Sequence, residues 1–307
     1  MSSSMEESKI VQLEHINLSI QEGGESKSTT GSFYLGVLGC ARDPRLEWMI
    51  HANIGLSQFH ILPNQPANQR INGELALFYT NLDTFAKHMQ GQSYDSFVDV
   101  RGDVPVPESI HHWEFTRATR LYRHLRITGP HGNTFVAFES PADYVALAQA
   151  SGAHPGERSL GDGLAYIKFL VRRGTAAGIA RFYQQLLGAS SIVESTNDDG
   201  GACASVACGP MQRLLFEETA AALRPYDGHH ICIYIRDFEA SYQRIHAKGL
   251  AWNNPLFHDR CDTWVETQKH KQFRVLHIVD PDTDDQLLEL EHEVRPLDHA
   301  RCPLFQS

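Results

Sequence analysis

The sequence predicts an α+β protein made of four similar units, each with one strand, one helix and about three further strands. Two observations predict it. A helical motif, Phe-Tyr-x-x-x-Leu-Gly, stands at 33–39 and recurs 149 residues later at 182–188. Each copy follows a short run in which polar and apolar residues alternate, which is typical of a strand with one buried face. A self-similarity of this kind indicates duplication, so we expect two tandem copies of one domain.

The four units follow one another along the chain at 12–62, 71–140, 162–218 and 226–292. Their opening strands include HINLSI at 15–20 and HICIYI at 230–235, which share one pattern. We therefore expect a first domain at 10–145 and a second at 162–294. The segment 146–161 between them is rich in Gly, Ser and Ala and shows little periodicity, as expected of a linker.

Composition excludes several classes of protein. The chain has 307 residues, of which 42% are hydrophobic and 21% charged, which is enough apolar material for packed cores. No apolar run reaches the ~20 residues of a membrane span. Residues 1–10 have no apolar stretch after a basic head, so we expect no secretory signal. The net charge of −10 without a basic stripe argues against nucleic-acid binding. Six scattered cysteines are typical of reduced thiols, so we expect a cytoplasmic protein.

Polar side chains alternate with apolar ones on the predicted strands, so one face of each strand presents polar groups that could bind a ligand. With 17 histidines in the chain, some fall on strands by chance, but His15, His60 and His230 hold matched positions within the repeating units. The residues that we expect to face a cavity are His15, Asn17, Gln58, His60, His230, Tyr234 and Glu289. Imidazole and carboxylate suit Fe, Ni, Mn, Co or Zn, so these faces predict one divalent metal site.

The segments LEHINLSI, SFYLGVLG, ANIGLSQFHIL, GPHGNTFVAF, RFYQQLLG, GHHICIYI and DPDTDDQLLELE resemble the vicinal oxygen chelate superfamily. That superfamily contains glyoxalases, bleomycin-resistance proteins and extradiol dioxygenases. The resemblance covers most of the chain from 11 to 292. It implies four βαβββ units that form two tandem glyoxalase-like domains with curved mixed sheets, and a metal bound by the first and last strand of each unit.

Carried over position by position, the resemblance implies His15 and His60 in the first unit and His230 and Glu289 in the fourth. The last turn is one residue longer than usual, so Glu291 is the alternative to Glu289. If the outer units pair, these residues share one site, and we prefer this pairing. If adjacent units pair, Glu74 of the second unit takes the place of the carboxylate beside His15 and His60.

The function that the resemblance implies is a metal-dependent lyase or isomerase that chelates a small oxygen-bearing substrate. His60 would be a further ligand or a general base, and Asn17, Gln58 and Tyr234 would orient the substrate. An Fe(II)-dependent dioxygenase and a metal-free small-molecule-binding protein are the alternatives. We expect a small-molecule substrate as partner, with no nucleic acid and no membrane, and a monomer or homodimer.

Overall fold

The computed structural model describes residues 8–25, 27–102, 105, 121–150, 154–195, 201–209 and 211–304. The chain divides into two compact units. The N-terminal unit contains Glu14–Ile167 and the end of the chain from Pro303, and the C-terminal unit contains Lys168–Cys302 and the start of the chain up to Leu13. The boundaries after Leu13 and after Ile167 each fall inside a strand. The predicted domain bounds, 10–145 and 162–294, stay a prediction.

The first half of the chain contains two repeats. Their elements are β1 (Ile10–Ser19), α1 (Thr29–Gly31) with a π-helical continuation (Ser32–Val37), β2 (Ala41–Arg42), β3 (Ile50–Ile54), β4 (Ser57–Leu62), β5 (Gly73–Tyr79), α2 (Leu82–Gly91), β6 (Phe97–Val100), β7 (His124–Thr128), β8 (Thr134–Glu139) and α3 (Ala142–Ala150). Both repeats thus have the predicted order of a strand, a helix and three strands.

The second half contains two more repeats. Their elements are β9 (Gly161–Arg172), α4 (Ala176–Leu187), β10 (Ser191–Ser195), β11 (Ala202–Ala207), β12 (Arg213–Thr219), β13 (His230–Ile235), α5 (Phe238–Ala247), α6 (Trp264–His270), β14 (Phe273–Val279) and β15 (Gln286–Pro296). The α+β fold class is confirmed.

The fourth repeat departs from the prediction of three closing strands. Among its described residues only β14 and β15 follow the helices, and Ala251 makes an isolated bridge to Val275. Side chains of the intervening loop take the backbone donors that a ladder would use: Asn253 accepts from the Cys261 amide and Asn254 from the Leu256 amide, each at 2.9 Å. Such local bonds compete with strand pairing.

The strands lie in two mixed sheets, one of seven and one of eight strands. Within the N-terminal unit the strand orders are β1-β4-β3-β2 and β9-β5-β8-β7-β6, and within the C-terminal unit they are β14-β15-β13-β1 and β10-β11-β12-β9. In each unit a parallel pair joins the first and last strands of a repeat, as in β1 with β4 and β13 with β15.

The repeated Phe-Tyr-x-x-x-Leu-Gly motif ends both of its helices in the same way. Gly39 and Gly188 each have a φ of 63°, a left-handed conformation that residues with a side chain rarely adopt. The tyrosines of the two copies pack on the sheets: the Tyr34 ring lies 5.0 Å from Phe59, and the Tyr183 ring lies 5.5 Å from Phe216. The helices therefore cover one face of β4 and β12, and the alternate residues of these strands point to the other face.

None of the helices among the described residues combines the length and the apolar character that a membrane crossing requires.

Candidate metal centre

Three buried histidines stack on the face of β4 that the helix leaves uncovered. The antiparallel register pairs His51 of β3 with His60 of β4, and the parallel register pairs Asn17 of β1 with the same residue. His15 lies on β1 two residues before Asn17, and therefore on the same face of the sheet as His60. The ring centroids of His15 and His60 are 3.7 Å apart, and those of His51 and His60 are 3.8 Å apart. We call these three imidazoles the histidine column.

Acceptors fix the tautomers of both predicted ligands in the N-terminal unit. The Glu14 carboxylate lies 2.7 Å from Nδ1 of His15, and the side-chain oxygen of Gln58 lies 3.0 Å from Nε2 of His60. A carboxylate and an amide oxygen only accept, so these ring nitrogens carry the protons. In the neutral form of each ring, the lone pair is then on Nε2 of His15 and on Nδ1 of His60. Metal-bound histidines usually donate their second N–H to such an acceptor.

A buried anion holds Gln58 in place. Its amide nitrogen donates to Asp43 Oδ2 at 2.9 Å and to the Asn53 side-chain oxygen at 2.5 Å. Arg45 in turn donates from Nε to both Asp43 oxygens, at 2.9 and 3.0 Å. Burial acts to raise the pKa of Asp43, but the bonds from Arg45 outweigh it and hold the pKa below its usual value. The network therefore keeps the amide oxygen of Gln58 turned to His60.

His51, the third ring of the column, is neutral at neutral pH. Burial lowers the pKa of His51 to about 3, and a positive charge on His15 acts in the same direction. Neither ring nitrogen of His51 has a hydrogen-bond partner among the described residues, and Nδ1 lies 3.7 Å from the Asp43 carboxylate. Metals bind neutral imidazole, so this ring also has the chemistry of a ligand.

The donor set of this region fits a divalent ion. Glu14, His15 and His60 each offer one ligand atom, and the three atoms lie within 4.8 Å of one another. All three residues are buried. Two oriented imidazoles and one carboxylate are a combination that Fe, Mn, Co, Ni and Zn accept.

The residues predicted to orient substrate have different surroundings. Asn17 is only half-buried and is the register partner of His60, so its side chain is accessible. Gln58 is 1% exposed and its amide is engaged with its neighbours in the sheet, which makes it a positioning residue for His60. Tyr234 is fully buried, and its hydroxyl accepts from Arg295 at 3.2 Å.

The C-terminal unit holds a second polar cluster. The parallel register places His230 of β13 beside Glu291 of β15, with 3.9 Å between Nδ1 and the carboxylate, and Nε2 is 3.9 Å from Glu293. Arg274 of β14 donates to Glu291 at 2.6 Å, to Glu293 at 2.9 Å and to Asp259 at 2.8 Å. We call Arg274, Glu291 and Glu293 the acid–arginine cluster.

Charge balance governs this cluster. Burial raises the pKa of Glu291, although Arg274 acts to lower it. Burial alone would lower the pKa of Arg274, but Glu293, Asp259 and Glu291 together raise it. Arg295 binds the other side of Glu293. These carboxylates are neutralised by arginine.

Two predicted carboxylates lie apart from the predicted histidines of their own units. Glu289 is exposed near the start of β15, with its carboxylate 3.8 Å from Nδ1 of His277; the register gives His230 the alternative, Glu291, as its neighbour. The long turn and the irregular register between β14 and β15 account for this shift. Glu74 lies on β5, where its carboxylate accepts from the hydroxyl of Tyr166 at 2.9 Å and from Arg126 at 3.2 Å.

The sequence reasoning missed Glu14, Asp43, His51 and Arg274. A signal existed for His51, because His51 and Asn53 alternate on their strand as Gln58 and His60 do on the next. Glu14 gave no signal, since strict alternation puts it on the face opposite His15. Asp43 and Arg274 become part of these clusters only through strand pairing.

No protein-family model matches the sequence, and no curated protein matches it. Among solved structures, the chain is similar to a mutant of glyoxalase I from Zea mays, with 13% identity, 93% of each chain covered and a TM-score of 0.53. A second mutant of that protein gives 14% identity, 93% and 92% coverage and a TM-score of 0.52.

A putative dioxygenase from Bacillus subtilis gives 12% identity, 96% coverage of this chain, 87% of the other and a TM-score of 0.55. At these identities the likeness establishes the fold. The chain has the fold of the vicinal oxygen chelate superfamily in its tandem two-domain form, and the predicted resemblance is confirmed at that level.

Proposed function

We propose that the chain is a metal-dependent enzyme that acts on a small oxygen-bearing substrate at the histidine column. The observation that carries the proposal is the pair of buried imidazoles of His15 and His60, each oriented by its own acceptor. The fold supports it, since solved structures with this fold include glyoxalase I from Zea mays and a putative dioxygenase from Bacillus subtilis.

His15 and His60 would hold the ion through Nε2 and Nδ1, and the carboxylate of Glu14, the third member of this group, lies on the opposite nitrogen of His15. A bound divalent ion would supply Lewis-acid stabilisation of negative charge on substrate oxygens. Glu14 also keeps the proton on Nδ1 of His15. As the alternative to this role as a ligand, His60 is the candidate general base, because Gln58 holds the proton on Nε2 and leaves Nδ1 to accept one. Asn17 would orient the substrate.

Metal analysis of the purified full-length chain tests the proposal. The wild type should bind about one divalent ion per chain, and His15→Ala and His60→Ala should each abolish stoichiometric binding, because each removes a ligand. His246→Ala is the matched control, since His246 is exposed. Binding that survives both column variants would refute the assignment. A wild type that binds no divalent ion would favour the metal-free binding protein.

The prediction that His230 and Glu289 share this ion stays a prediction, and the same measurement tests it. His230→Ala and Glu289→Ala should empty the site that His15→Ala empties if the outer repeats supply one centre. Glu74→Ala should leave metal binding unchanged, because Tyr166 and Arg126 already hold that carboxylate. Loss of metal in the Glu74 variant alone would favour the pairing of adjacent repeats.

An Fe(II)-dependent dioxygenase is the second candidate, favoured by the same donor set of two imidazoles and one carboxylate. One of the solved structures with this fold is that of a putative dioxygenase, from Bacillus subtilis. Oxygen separates the two candidates. Turnover that continues without O₂ identifies the lyase or isomerase, and turnover that stops without O₂ and consumes it when present identifies the dioxygenase.

A further inference from the structure

Two buried polar groups lie side by side on the third repeat, in the C-terminal unit. Arg213 of β12 is 9% exposed and Ser205 of β11 is 4% exposed. Neither Nε of Arg213 nor the hydroxyl of Ser205 has a hydrogen-bond partner among the described residues. Buried polar groups are nearly always satisfied, so each requires an explanation.

The strand register puts the two groups on one face. β11 and β12 are antiparallel, with Ala207 opposite Arg213 and Ser205 opposite Leu215. Arg213 and Ser205 are therefore diagonal neighbours, a spacing that a long side chain spans. Helix α4 covers the other face through Phe216. The pair thus faces away from α4.

In the part of the chain that the structure describes, no anion balances the guanidinium. Glu217, a carboxylate on the same face of β12, is paired with Lys168 at 3.2 Å. The titratable group that acts on Arg213 is Cys208, and burial raises the pKa of its thiol to about 12, so it is uncharged at neutral pH. Burial lowers the pKa of Arg213 to about 10, which leaves it protonated. The face carries one unbalanced positive charge.

We propose that Arg213 and Ser205 form a binding site for a small monocarboxylate, separate from the histidine column. The planar fork of an arginine matches the two oxygens of a carboxylate, and the neighbouring hydroxyl supplies a further donor. One uncompensated charge calls for a monoanion rather than a phosphate dianion. Leu215 and Ala207 flank the pair and offer apolar contact to a short hydrocarbon body.

Thermal unfolding of the full chain with butyrate, at constant ionic strength, tests this proposal. Butyrate should raise the midpoint of the wild type by several degrees at saturation, because a ligand bound only to the folded state stabilises it. Butyramide, which has nearly the same shape without the charge, should not. Arg213→Met should abolish the shift and Ser205→Ala should weaken binding about fivefold.

The variants are designed to stay folded. Replacing a buried charge by an apolar side chain is often neutral or stabilising, so Arg213→Met should unfold no earlier than the wild type without ligand. Arg213→Lys keeps the charge but loses the fork, and should show a smaller shift than the wild type. Arg260→Met is the control, since Arg260 is exposed and should leave the butyrate shift intact.

Three results would overturn the site. They are a wild type whose midpoint does not respond to butyrate, a shift of equal size in Arg213→Met, and a response to butyramide equal to that with butyrate. An Arg213-dependent response to inorganic phosphate but not to butyrate would refute the carboxylate and show that the site binds an inorganic anion. Metal content should be the same in wild type and Arg213→Met, which separates this test from that of the histidine column.

Discussion

The histidine column and the acid–arginine cluster occupy equivalent places in the first and fourth repeats, yet they differ in charge. In the column, burial lowers the pKa of His51 and keeps that imidazole neutral, and the guanidinium of Arg45 is bound to Asp43. In the cluster, Arg274 neutralises buried carboxylates directly. Neutral imidazoles are ready to bind a cation, whereas carboxylates that already hold an arginine contribute mainly to the fold. If the column binds the proposed ion, equivalent strand positions serve metal binding in one repeat and stability in another.

The largest expected effect tests the structural role of the acid–arginine cluster. Arg274→Met should lower the free energy of unfolding by about 3–5 kcal/mol, because it leaves buried carboxylates without their counterion. Urea unfolding monitored by circular dichroism measures the change. Arg260→Met, at an exposed position, should cost almost nothing. A loss no larger in Arg274→Met than in this control would show that the acid–arginine cluster does not stabilise the fold.

His292, a buried histidine outside the column, differs from the rings of the column in its hydrogen bonds. His292 is fully buried; its Nδ1 donates to the Leu290 carbonyl at 2.7 Å, and its Nε2 lies 2.6 Å from the Tyr183 hydroxyl, which therefore donates to it. Burial lowers the pKa of His292 to about 4. This ring is neutral like that of His51, but its two nitrogens are occupied, so neutrality alone does not make a ligand.

The lowered pKa of His292 makes the stability of the fold depend on pH. The unfolded chain takes up a proton near pH 6.5 and the folded chain only near pH 4, so the stability contribution is complete above pH 6.5 and is lost as the pH falls toward 4. The loss in the free energy of unfolding between these two pH values is about 3 kcal/mol. Denaturant titrations across this range should show a shallower pH dependence in His292→Gln than in the wild type. Equal slopes would contradict the assignment.

The smallest effect concerns the residue that orients His15. Glu14→Gln should lower metal affinity by about 10- to 100-fold, because it replaces a charged acceptor by a neutral one. Competition with a chromophoric chelator measures the change. Glu74→Gln is the matched control, since that carboxylate is bound to Tyr166 and Arg126. Equal affinities in the Glu14 variant and the wild type would remove Glu14 from the candidate centre.

Local sequence patterns predicted several features of this fold. The recurrence of Phe-Tyr-x-x-x-Leu-Gly predicted the repeated helices, and the left-handed Gly39 and Gly188 follow from the same motif. Alternation on β4 predicted that Gln58 and His60 share a face, as their hydrogen bond shows. These features depend on residues close in sequence, so periodicity reveals them.

Other features of the centres depend on which strands meet. The neighbour of His230 is Glu291 rather than Glu289, because an irregular β14–β15 register and a long turn move β15 along its partner. His51 joins His60 only through the β3–β4 pairing. Arg274 reaches two carboxylates only because β14 pairs with β15.

The repeats, the α+β class and the faces on which His15 and His60 lie can be predicted from residue order. The folded chain adds three features that residue order does not predict: Glu14 turns to His15, Asp43 supports Gln58, and Arg213 is buried without a counterion among the described residues. Side-chain period is a property of one strand, whereas charge balance and hydrogen-bond satisfaction are properties of neighbours that pairing and packing bring together.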